Sequence, residues 1–198
     1  MCCSCERLGV MADMKVRLLT VGHGTASEDE FGELLATAGV QSLVDVRIAP
    51  GSRKFPHFGK DLLAHWLPAA GIGYRWEKRL GGFRRLPPDS PDVALRNDSF
   101  RAYAAYMRTS EFSLALGELL AQAVGQSVAI MCSETVWWRC HRRLISDHAV
   151  LVDGIEVGHL MPGGKLTPHL PTSGVRVKGA ELYYDLVPPP AGHELGQR

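Results

Sequence analysis

Short apolar runs of strand length alternate with helical stretches along most of this chain. The runs lie at residues 16–21, 43–46, 72–76, 128–131 and 155–159. Runs this short and this apolar are typical of strands buried on both faces, as in a parallel sheet. Helices are predicted between them, where apolar residues recur at helical spacing after capping residues or loops. The alternation predicts an α/β fold, a three-layer sandwich with a mostly parallel, Rossmann-like sheet.

The helix starts can be read from side chains that suit an N-cap. Ser27 with Glu30 forms a capping box, Asp98 or Ser99 would cap a later helix, and Ser110 would open the next. Two further helices are predicted over residues 60–69 and over residues 139–148, where apolar positions share one face. Each predicted helix therefore follows or precedes a predicted strand.

The length of the chain fits a single domain. A chain of 198 residues with 45% hydrophobic content can bury one substantial core, which we place over residues 15–170. Residues 1–14 are predicted to be a flexible leader. Residues 171–198 form a Pro/Gly-rich extension, expected to be partly disordered apart from a strand-like piece at 182–186. No apolar run approaches the roughly 18 residues of a membrane span, so no membrane partner is expected.

The five cysteines do not resemble a disulfide framework. Three lie together as Cys2, Cys3 and Cys5, and the other two, Cys132 and Cys140, flank one loop. This usage favours a reducing compartment, and we predict a cytoplasmic protein. The N-terminal three could form a metal-binding or redox group, but we favour the simpler interpretation that they belong to the leader.

Reactive side chains are concentrated after the fourth apolar run. Open parallel sheets bind ligands at the carboxyl ends of their strands, where helices present free backbone N–H groups. The segment that follows residues 128–131 therefore predicts an active site. Its predicted catalytic residues are Cys132, Glu134, Cys140 and His141, and its predicted substrate-binding residues are Arg139 and Arg142.

Two earlier strand ends would contribute to the same edge of the sheet. Gly22 and His23 follow the first strand, while Asp45 and Arg47 end the second, and we predict that they bind substrate together with Arg53 of the next loop. A carboxylate inside an apolar run needs a partner, because burying it alone is costly. Asp45 could be tied to Arg47 or to the backbone, or it could be a site residue; we favour the site.

Seven motifs in order carry a resemblance to a known family. The chain resembles the domain-of-unknown-function family numbered 488 through Thr20-Val21-Gly22-His23, Leu43-Val44-Asp45-Val46-Arg47, Ser52-Arg53, Leu80-Gly81-Gly82, Phe100-Arg101-x-Tyr103-Ala104-x-Tyr106-Met107, Met131-Cys132-Ser133-Glu134 and Cys140-His141-Arg142-Arg143-Leu144-Ile145. The resemblance implies a single-domain, cytoplasmic α/β protein with characteristic positions, and it implies no reaction. The chain departs from the family at Gly24, where the family commonly has Ser or Thr.

A cysteine-dependent enzyme is the first hypothesis for this loop. A thiolate is the reactive form of cysteine, and a helix N-terminus or nearby arginines lower its pKa. Cys132 would face the helix start, Cys140 would lie in its first turn, and Glu134 would act as general acid or base. Six residues separate Cys132 from Arg139, one more than in tyrosine-phosphatase loops, so that activity is not predicted.

A metal centre is the second hypothesis, and it is disfavoured. The donor types of a zinc site with an open position are present in Cys132, Cys140 and His141, with Asp45 or His23 as a further candidate ligand. Adjacent residues on a helix, however, point about 100° apart, so Cys140 and His141 would not easily share an ion. We therefore predict no metal and no other cofactor.

Charge points to an anionic partner. Residues 47–108 contain twelve basic and five acidic side chains, a local excess of +7 in a chain whose net charge is +1. Such a segment attracts phosphates, or it is a solvated face whose charges pair with neighbours. We expect an enzyme acting on a small phosphate- or nucleotide-bearing substrate. The alternative is a non-catalytic module that binds nucleic acid or nucleotides through this segment. The oligomeric state stays open.

Overall fold

A six-stranded sheet forms the centre of the protein. The computed structural model of the chain describes residues 17–51 and 53–186. The strand order is β3-β2-β4-β1-β5-β6, and every pairing is parallel except that of β6 with β5. The predicted α/β class and mostly parallel sheet are confirmed. The strands are β1 (Arg17–Gly22), β2 (Ser42–Asp45), β3 (Gly73–Trp76), β4 (Val128–Cys132), β5 (Glu156–Leu160) and β6 (Leu166–Pro168).

Helices cover both faces of this sheet, which gives the three predicted layers. Side chains alternate between the faces along each strand, so Leu18 and Leu19 belong to two different cores. One core includes Phe31 and Leu35, which lie four residues apart on a single helical face. The helices on that side are α1 (Glu28–Thr37) and α2 (Lys60–Ala69), and those on the other side are α3 (Asp98–Met107), α4 (Ser110–Gly125) and α5 (Arg142–Leu151).

Two of the predicted helix caps are displaced by one or two residues. The capping box of Ser27 and Glu30 is confirmed. At α3 the cap is Asn97, whose side chain accepts a hydrogen bond from the N–H of Ser99. At α4 the cap is Thr109, one residue before the predicted start. In each case a residue upstream of the predicted one supplies the acceptor, and the chain turns helical sooner.

The largest difference lies before α5. The predicted helix over residues 139–148 begins instead at Arg142, after a single 3-10 turn at Trp137–Arg139. Cys140 has extended backbone dihedrals, with φ −124° and ψ 151°. Cys140 therefore lies outside the helix, and this changes the direction of its side chain relative to His141.

A second, two-stranded sheet extends the core beyond residue 170. It pairs β7 (Val175–Lys178) with β8 (Glu181–Tyr184), and it buries Leu182 and Tyr184 in the core that contains α3, α4 and α5. The predicted leader, with its three cysteines, lies outside the described residues. Within the described residues, no helix combines the length and apolar character that crossing a membrane requires.

The topology singles out the boundary between β1 and β4. From β1 the chain continues through α1 to β2 on one side, whereas from β4 it continues through α5 on the opposite face to β5. Neighbouring strands whose connections leave in opposite directions open a crevice at their carboxyl ends, where ligands bind in this fold class. The predicted site residues Gly22 and Cys132 are paired at this point.

Candidate functional site

Polar side chains gather in two groups at the carboxyl edge of the sheet, one on each face. The thiol cluster consists of Cys132, Cys140, His141 and Arg142, and its cysteines belong to the core under α3, α4 and α5. The ion-pair cluster consists of His23, Asp45, Arg47 and Tyr74, and His23 stacks on a phenylalanine of the other core. The sequence placed all of these residues except Tyr74 in one shared site. They do share an edge, but side-chain alternation directs them to opposite faces.

A bidentate salt bridge is the centre of the ion-pair cluster. Nε and Nη2 of Arg47 donate to the two carboxylate oxygens of Asp45 at 2.8 and 2.6 Å. Asp45 also accepts from the backbone N–H of Arg47 at 3.1 Å and from the hydroxyl of Tyr74 at 3.0 Å. Both charged residues are buried. Asp45 is thus fully occupied by partners within the chain, which is the tie that the sequence left as an alternative.

His23 completes this cluster as a neutral ring. Its Nε2 lies 3.2 Å from Nη1 of Arg47, and its ring stacks on Phe58 at 4.1 Å between centroids. Burial, together with the charge of Arg47, lowers the pKa of His23 to about 4. A neutral imidazole accepts at one nitrogen, so Nε2 takes the hydrogen bond from the arginine.

The thiol cluster brings two sulfur atoms to one imidazole nitrogen. Nδ1 of His141 lies 3.6 Å from Sγ of Cys140 and 4.0 Å from Sγ of Cys132. The expectation that Cys140 and His141 point apart was wrong, because Cys140 precedes the helix in an extended conformation. Neighbouring extended and helical residues can converge where two helical ones diverge.

The backbone fixes the tautomer of His141. Its Nε2 lies 3.1 Å from the carbonyl oxygen of Val46. A carbonyl only accepts, so Nε2 carries the hydrogen and, in the neutral ring, Nδ1 presents a lone pair to both sulfurs. The imidazole can therefore accept a proton from a thiol of the cluster.

Arg142 supplies positive charge to the cluster. Arg142 is 1% exposed, and its Nε donates to Sγ of Cys140 at 3.4 Å. Nη1 approaches Oγ1 of Thr20 at 3.5 Å, and Nη2 donates to the backbone carbonyl of Glu134. Among the residues that the structure describes, no carboxylate forms an ion pair with this guanidinium. The nearest atom able to bear a negative charge is thus the sulfur of Cys140.

The two thiols differ in acidity because of these contacts. A hydrogen bond from Cys132 and the charge of Arg142 lower the pKa of Cys140 to about 6, although burial opposes the change. The same thiol–thiol hydrogen bond, reinforced by burial, raises the pKa of Cys132 to about 12. Of the two thiols, Cys140 is therefore the one whose surroundings favour ionisation.

The remaining predicted site residues take other positions. The carboxylate of Glu134 accepts from the backbone N–H of Val136 at 3.4 Å, within its own loop, and contributes no contact to the sulfurs. Arg139 and Arg53 are exposed, and within residues 17–51 and 53–186 their side chains form no hydrogen bond or ion pair. Gly22 contacts the cluster closely: a Cβ there would lie 2.8 Å from Nη2 of Arg142.

Access to the sulfurs is narrow. Cys132 and Cys140 are 8% and 4% exposed. A cavity of about 590 Å³ opens elsewhere, beside the carboxyl end of β3, where Lys60 and Trp76 line it. Two exposed aromatic side chains are Trp138, which is 48% exposed and lies two residues before Cys140, and Phe83, which is 92% exposed. Phe83 follows Gly82, whose Cα faces the ring of His141.

The same three donor atoms could hold a metal ion. The sulfurs of Cys132 and Cys140 and Nδ1 of His141 all lie within 4.8 Å of one another. Tetrahedral zinc with ordinary bond lengths separates its ligand atoms by roughly 3.5–3.8 Å. A small inward movement of Cys132 would meet that requirement, and the fourth position would stay open.

Sequence reasoning missed a further buried polar group behind Arg142. Thr20, His159, His169 and Asp147 form a continuous series of hydrogen bonds. Thr20 and His159 lie within apolar strands, and Asp147 lies on the apolar side of α5. A polar residue at an apolar position of its element was the signal that could have found them, as it had found Asp45.

Acid is expected to destabilise the protein through its buried neutral histidines. Burial lowers the pKa of His159 to about 3 and that of His23 to about 4. The unfolded chain binds these protons near pH 6.5, whereas the folded chain does not, so stability falls as the pH decreases from 6.5 towards 4. We expect a loss of about 2–3 kcal/mol from each histidine, about 5 kcal/mol in all, or roughly 10–20 °C in the unfolding midpoint, by calorimetry. His65→Gln at an exposed histidine should leave this slope unchanged, and a midpoint independent of pH would contradict the assignment.

Together, the fold and the site define a class: a doubly wound α/β protein with two buried cysteines, a histidine and an arginine clustered at its topological switch point. Comparison with protein families then identifies the chain. The family model described as "Domain of unknown function DUF488" matches residues 27–149, and the chain belongs to that family. The matched span includes the thiol cluster and Asp147. Searches of curated proteins and of solved structures found no match.

Proposed function

We propose that the protein is an enzyme that uses the thiolate of Cys140 as its nucleophile. The observation that carries this proposal is the buried guanidinium of Arg142, whose Nε donates to Sγ of Cys140 and which has no carboxylate partner in the described chain. A buried cation is costly unless an anion compensates it. A thiolate at Cys140 supplies that anion and is at the same time the reactive form of the residue.

The other members of the cluster support the same chemistry. The unprotonated Nδ1 of His141 lies close enough to both sulfurs to receive a proton from either, and Cys132 is the less acidic thiol beside the proposed thiolate. Nucleophile, base and a fixed base orientation are the elements of nucleophilic catalysis by cysteine. The proposal does not assign a role to the carboxylate of Glu134, which is bound within its own loop.

We propose a phosphate- or nucleotide-bearing substrate for this site. Arg47 and Arg142 are committed to partners inside the protein, so the exposed Arg139 is left as the anion contact next to Cys140. Trp138 precedes Arg139 and Phe83 follows Gly82, and both aromatic side chains are exposed. An aromatic face next to a guanidinium suits a nucleobase carrying a phosphate.

The alternative of a non-catalytic nucleic-acid module has weaker support. Of the twelve basic residues in the segment 47–108, five form salt bridges: Arg47, Arg75, Arg79, Arg101 and Arg108. Two of these arginines pair with carboxylates outside the segment, Asp45 and Glu118, which lowers its local excess of charge. Phe83 is the observation that still favours it, because an aromatic ring fully in solvent at a positive φ of 57° suggests a binding role.

Thiol titration tests the proposed enzyme. In a background with Cys2, Cys3 and Cys5 replaced by Ser, thiolate absorbance in the ultraviolet should show one transition with a midpoint near pH 6, from the Cys140 pKa of about 6. At pH 7 a thiol with that pKa is about 90% ionised, against about 3% for an unperturbed thiol, so alkylation should show a fast phase. Cys140→Ser should abolish both signals, whereas Cys132→Ala should shift the midpoint upward.

Two outcomes would overturn this assignment. A single midpoint above pH 8 would show that Arg142 does not stabilise a thiolate. One equivalent of zinc per chain in elemental analysis, with thiols protected until a chelator is added, would identify a metal centre. The substrate class is tested separately, by mass spectrometry for a covalent adduct on Cys140 after incubation with nucleotides and phosphoesters. Cys140→Ser is the control for that experiment.

A further inference from the structure

Three buried side chains, those of Thr20, His159 and His169, connect Arg142 to the carboxylate of Asp147, another residue of α5. Oγ1 of Thr20 lies 2.7 Å from Nδ1 of His159, whose Nε2 lies 3.0 Å from Nδ1 of His169. Nε2 of His169 lies 2.9 Å from Oδ1 of Asp147. Every member is buried, with at most 7% of its surface exposed. Because these groups are shielded from water, each of them must find its hydrogen-bond partners inside the protein. The orientation of one side chain therefore restricts that of the next.

The carboxylate of Asp147 determines which atom donates and which accepts in each hydrogen bond of the series. Asp147 accepts from the backbone N–H and the hydroxyl of Thr172 at 2.8 and 2.6 Å, and from the hydroxyl of Tyr184 at 2.9 Å. Surrounded by donors, it is an acceptor only, so Nε2 of His169 carries a hydrogen. In the neutral ring Nδ1 of His169 then accepts, and Nε2 of His159 must donate to it.

The orientation of the Thr20 hydroxyl follows from the tautomer of His159. With its hydrogen on Nε2, His159 presents a lone pair at Nδ1, and Thr20 donates its only hydrogen there. The oxygen of Thr20 is left with lone pairs alone, and Nη1 of Arg142 approaches it at 3.5 Å. A hydroxyl whose hydrogen was free to turn toward the guanidinium would repel it instead.

We propose that Thr20, His159, His169 and Asp147 are positioning residues that hold Arg142 against the sulfur of Cys140. We call these four residues the relay. The inference rests on the proposed function, because the relay holds the cation that stabilises the proposed thiolate. Two acceptors fix the guanidinium at its outer nitrogens, the carbonyl of Glu134 and the hydroxyl of Thr20, and the remaining Nε is directed at Cys140.

Packing around the relay supports a fixed arrangement. The ring of Trp137 stacks on His159 at 3.9 Å between centroids with an interplanar angle of 7°. This aromatic cover and the surrounding burial keep His159 neutral, because burial lowers its pKa to about 3. The neutral tautomer that the series requires is therefore the form present throughout the physiological pH range.

Thr20→Val tests the proposal with little change of shape. It removes the hydroxyl and keeps the branched side chain, so Arg142 loses one of its two anchors. We expect the thiolate midpoint of Cys140 to rise by about one pH unit, a tenfold gain in proton affinity. Thr20→Ser should restore the wild-type midpoint. Ser42→Ala removes another buried hydroxyl, at the opposite end of the sheet, where it accepts from Gln122 at 2.8 Å, and should not move it.

The outcomes separate this inference from the proposed function. If the wild type has no midpoint near pH 6, the proposed function fails. If the wild type has it and folded Thr20→Val keeps it, the relay proposal alone fails. Should Thr20→Val not fold, His159→Phe keeps the ring under Trp137 and is expected to raise the midpoint similarly. Nitrogen NMR gives an independent measurement: His159 should carry its hydrogen on Nε2, and a hydrogen on Nδ1 would overturn the proposal.

Discussion

Replacing Gly22 by Ala is expected to destabilise the protein strongly and to remove the acidic thiol at the same time. A Cβ at this position would overlap the backbone carbonyl of Glu134 and would lie 2.8 Å from Nη2 of Arg142. A carbonyl of the main chain cannot turn aside as a flexible side chain can, so the loop after β4 must move. We expect a loss of about 3 kcal/mol or more, which corresponds to a decrease of roughly 10 °C in the unfolding midpoint.

The control for this variant is Gly117→Ala. Gly117 lies in α4, and a Cβ there would meet nothing within 4 Å. Alanine at an exposed helical position is about 0.5–1 kcal/mol more favourable than glycine, so this variant should be slightly stabilised. Thermal unfolding and thiolate titration should be measured on both proteins. A Gly22→Ala protein with an unchanged melting temperature and an unchanged thiolate midpoint would show that Arg142 does not need its present contact with the loop.

Gly22 also shows what sequence reasoning can and cannot find. Its position after an apolar strand predicted a substrate-binding glycine, whereas the close approach in the structure is to the carbonyl of Glu134 and the guanidinium of Arg142. The identity of those groups did not follow, because Glu134 and Arg142 are more than a hundred residues away along the chain. The fold class was predictable for the same reason: alternating apolar runs and helical periods are local signals.

Local signals in the sequence did not predict which face of the sheet each strand-end residue would occupy. Asp45 and Cys132 both follow buried strands, so the sequence placed them together, and the structure does bring both to the carboxyl edge. Which side of the sheet a side chain points to depends on register. A shift of one residue along either strand would exchange the faces. The pairing of Asp45 with Met131, rather than with Cys132, puts the two residues on opposite faces.

The short segment between β4 and α5 illustrates a different limit. Helical periodicity continued back to Arg139, so the sequence favoured a helix that included Cys140. A 3-10 turn and one extended residue cost no apolar burial, and they let Cys140 and Arg142 converge on one sulfur–guanidinium contact. Periodicity alone does not distinguish such a start from an ordinary helical turn.

Asp45→Asn is expected to be the most destabilising change in the ion-pair cluster. The carboxylate is fully buried and accepts four hydrogen bonds, three of them from Arg47. An amide has one acceptor oxygen and no charge, so the buried guanidinium of Arg47 would lose its counterion. Removing one partner of a buried ion pair costs about 3–5 kcal/mol, and we expect the unfolding midpoint to fall by roughly 10–15 °C.

A double-mutant cycle decides whether this pair is structural. In Asp45→Asn with Arg47→Met, no buried charge is left unpaired, so the double variant should be more stable than Asp45→Asn alone. Asp185→Asn removes the carboxylate from the more exposed pair with Arg176 and should cost less than about 1 kcal/mol. If Asp45→Asn instead unfolds at the wild-type temperature, the salt bridge does not support the fold. Asp45 and Arg47 would then be available to a substrate, as the sequence suggested, and the ion-pair cluster would belong to the active site rather than to its scaffold.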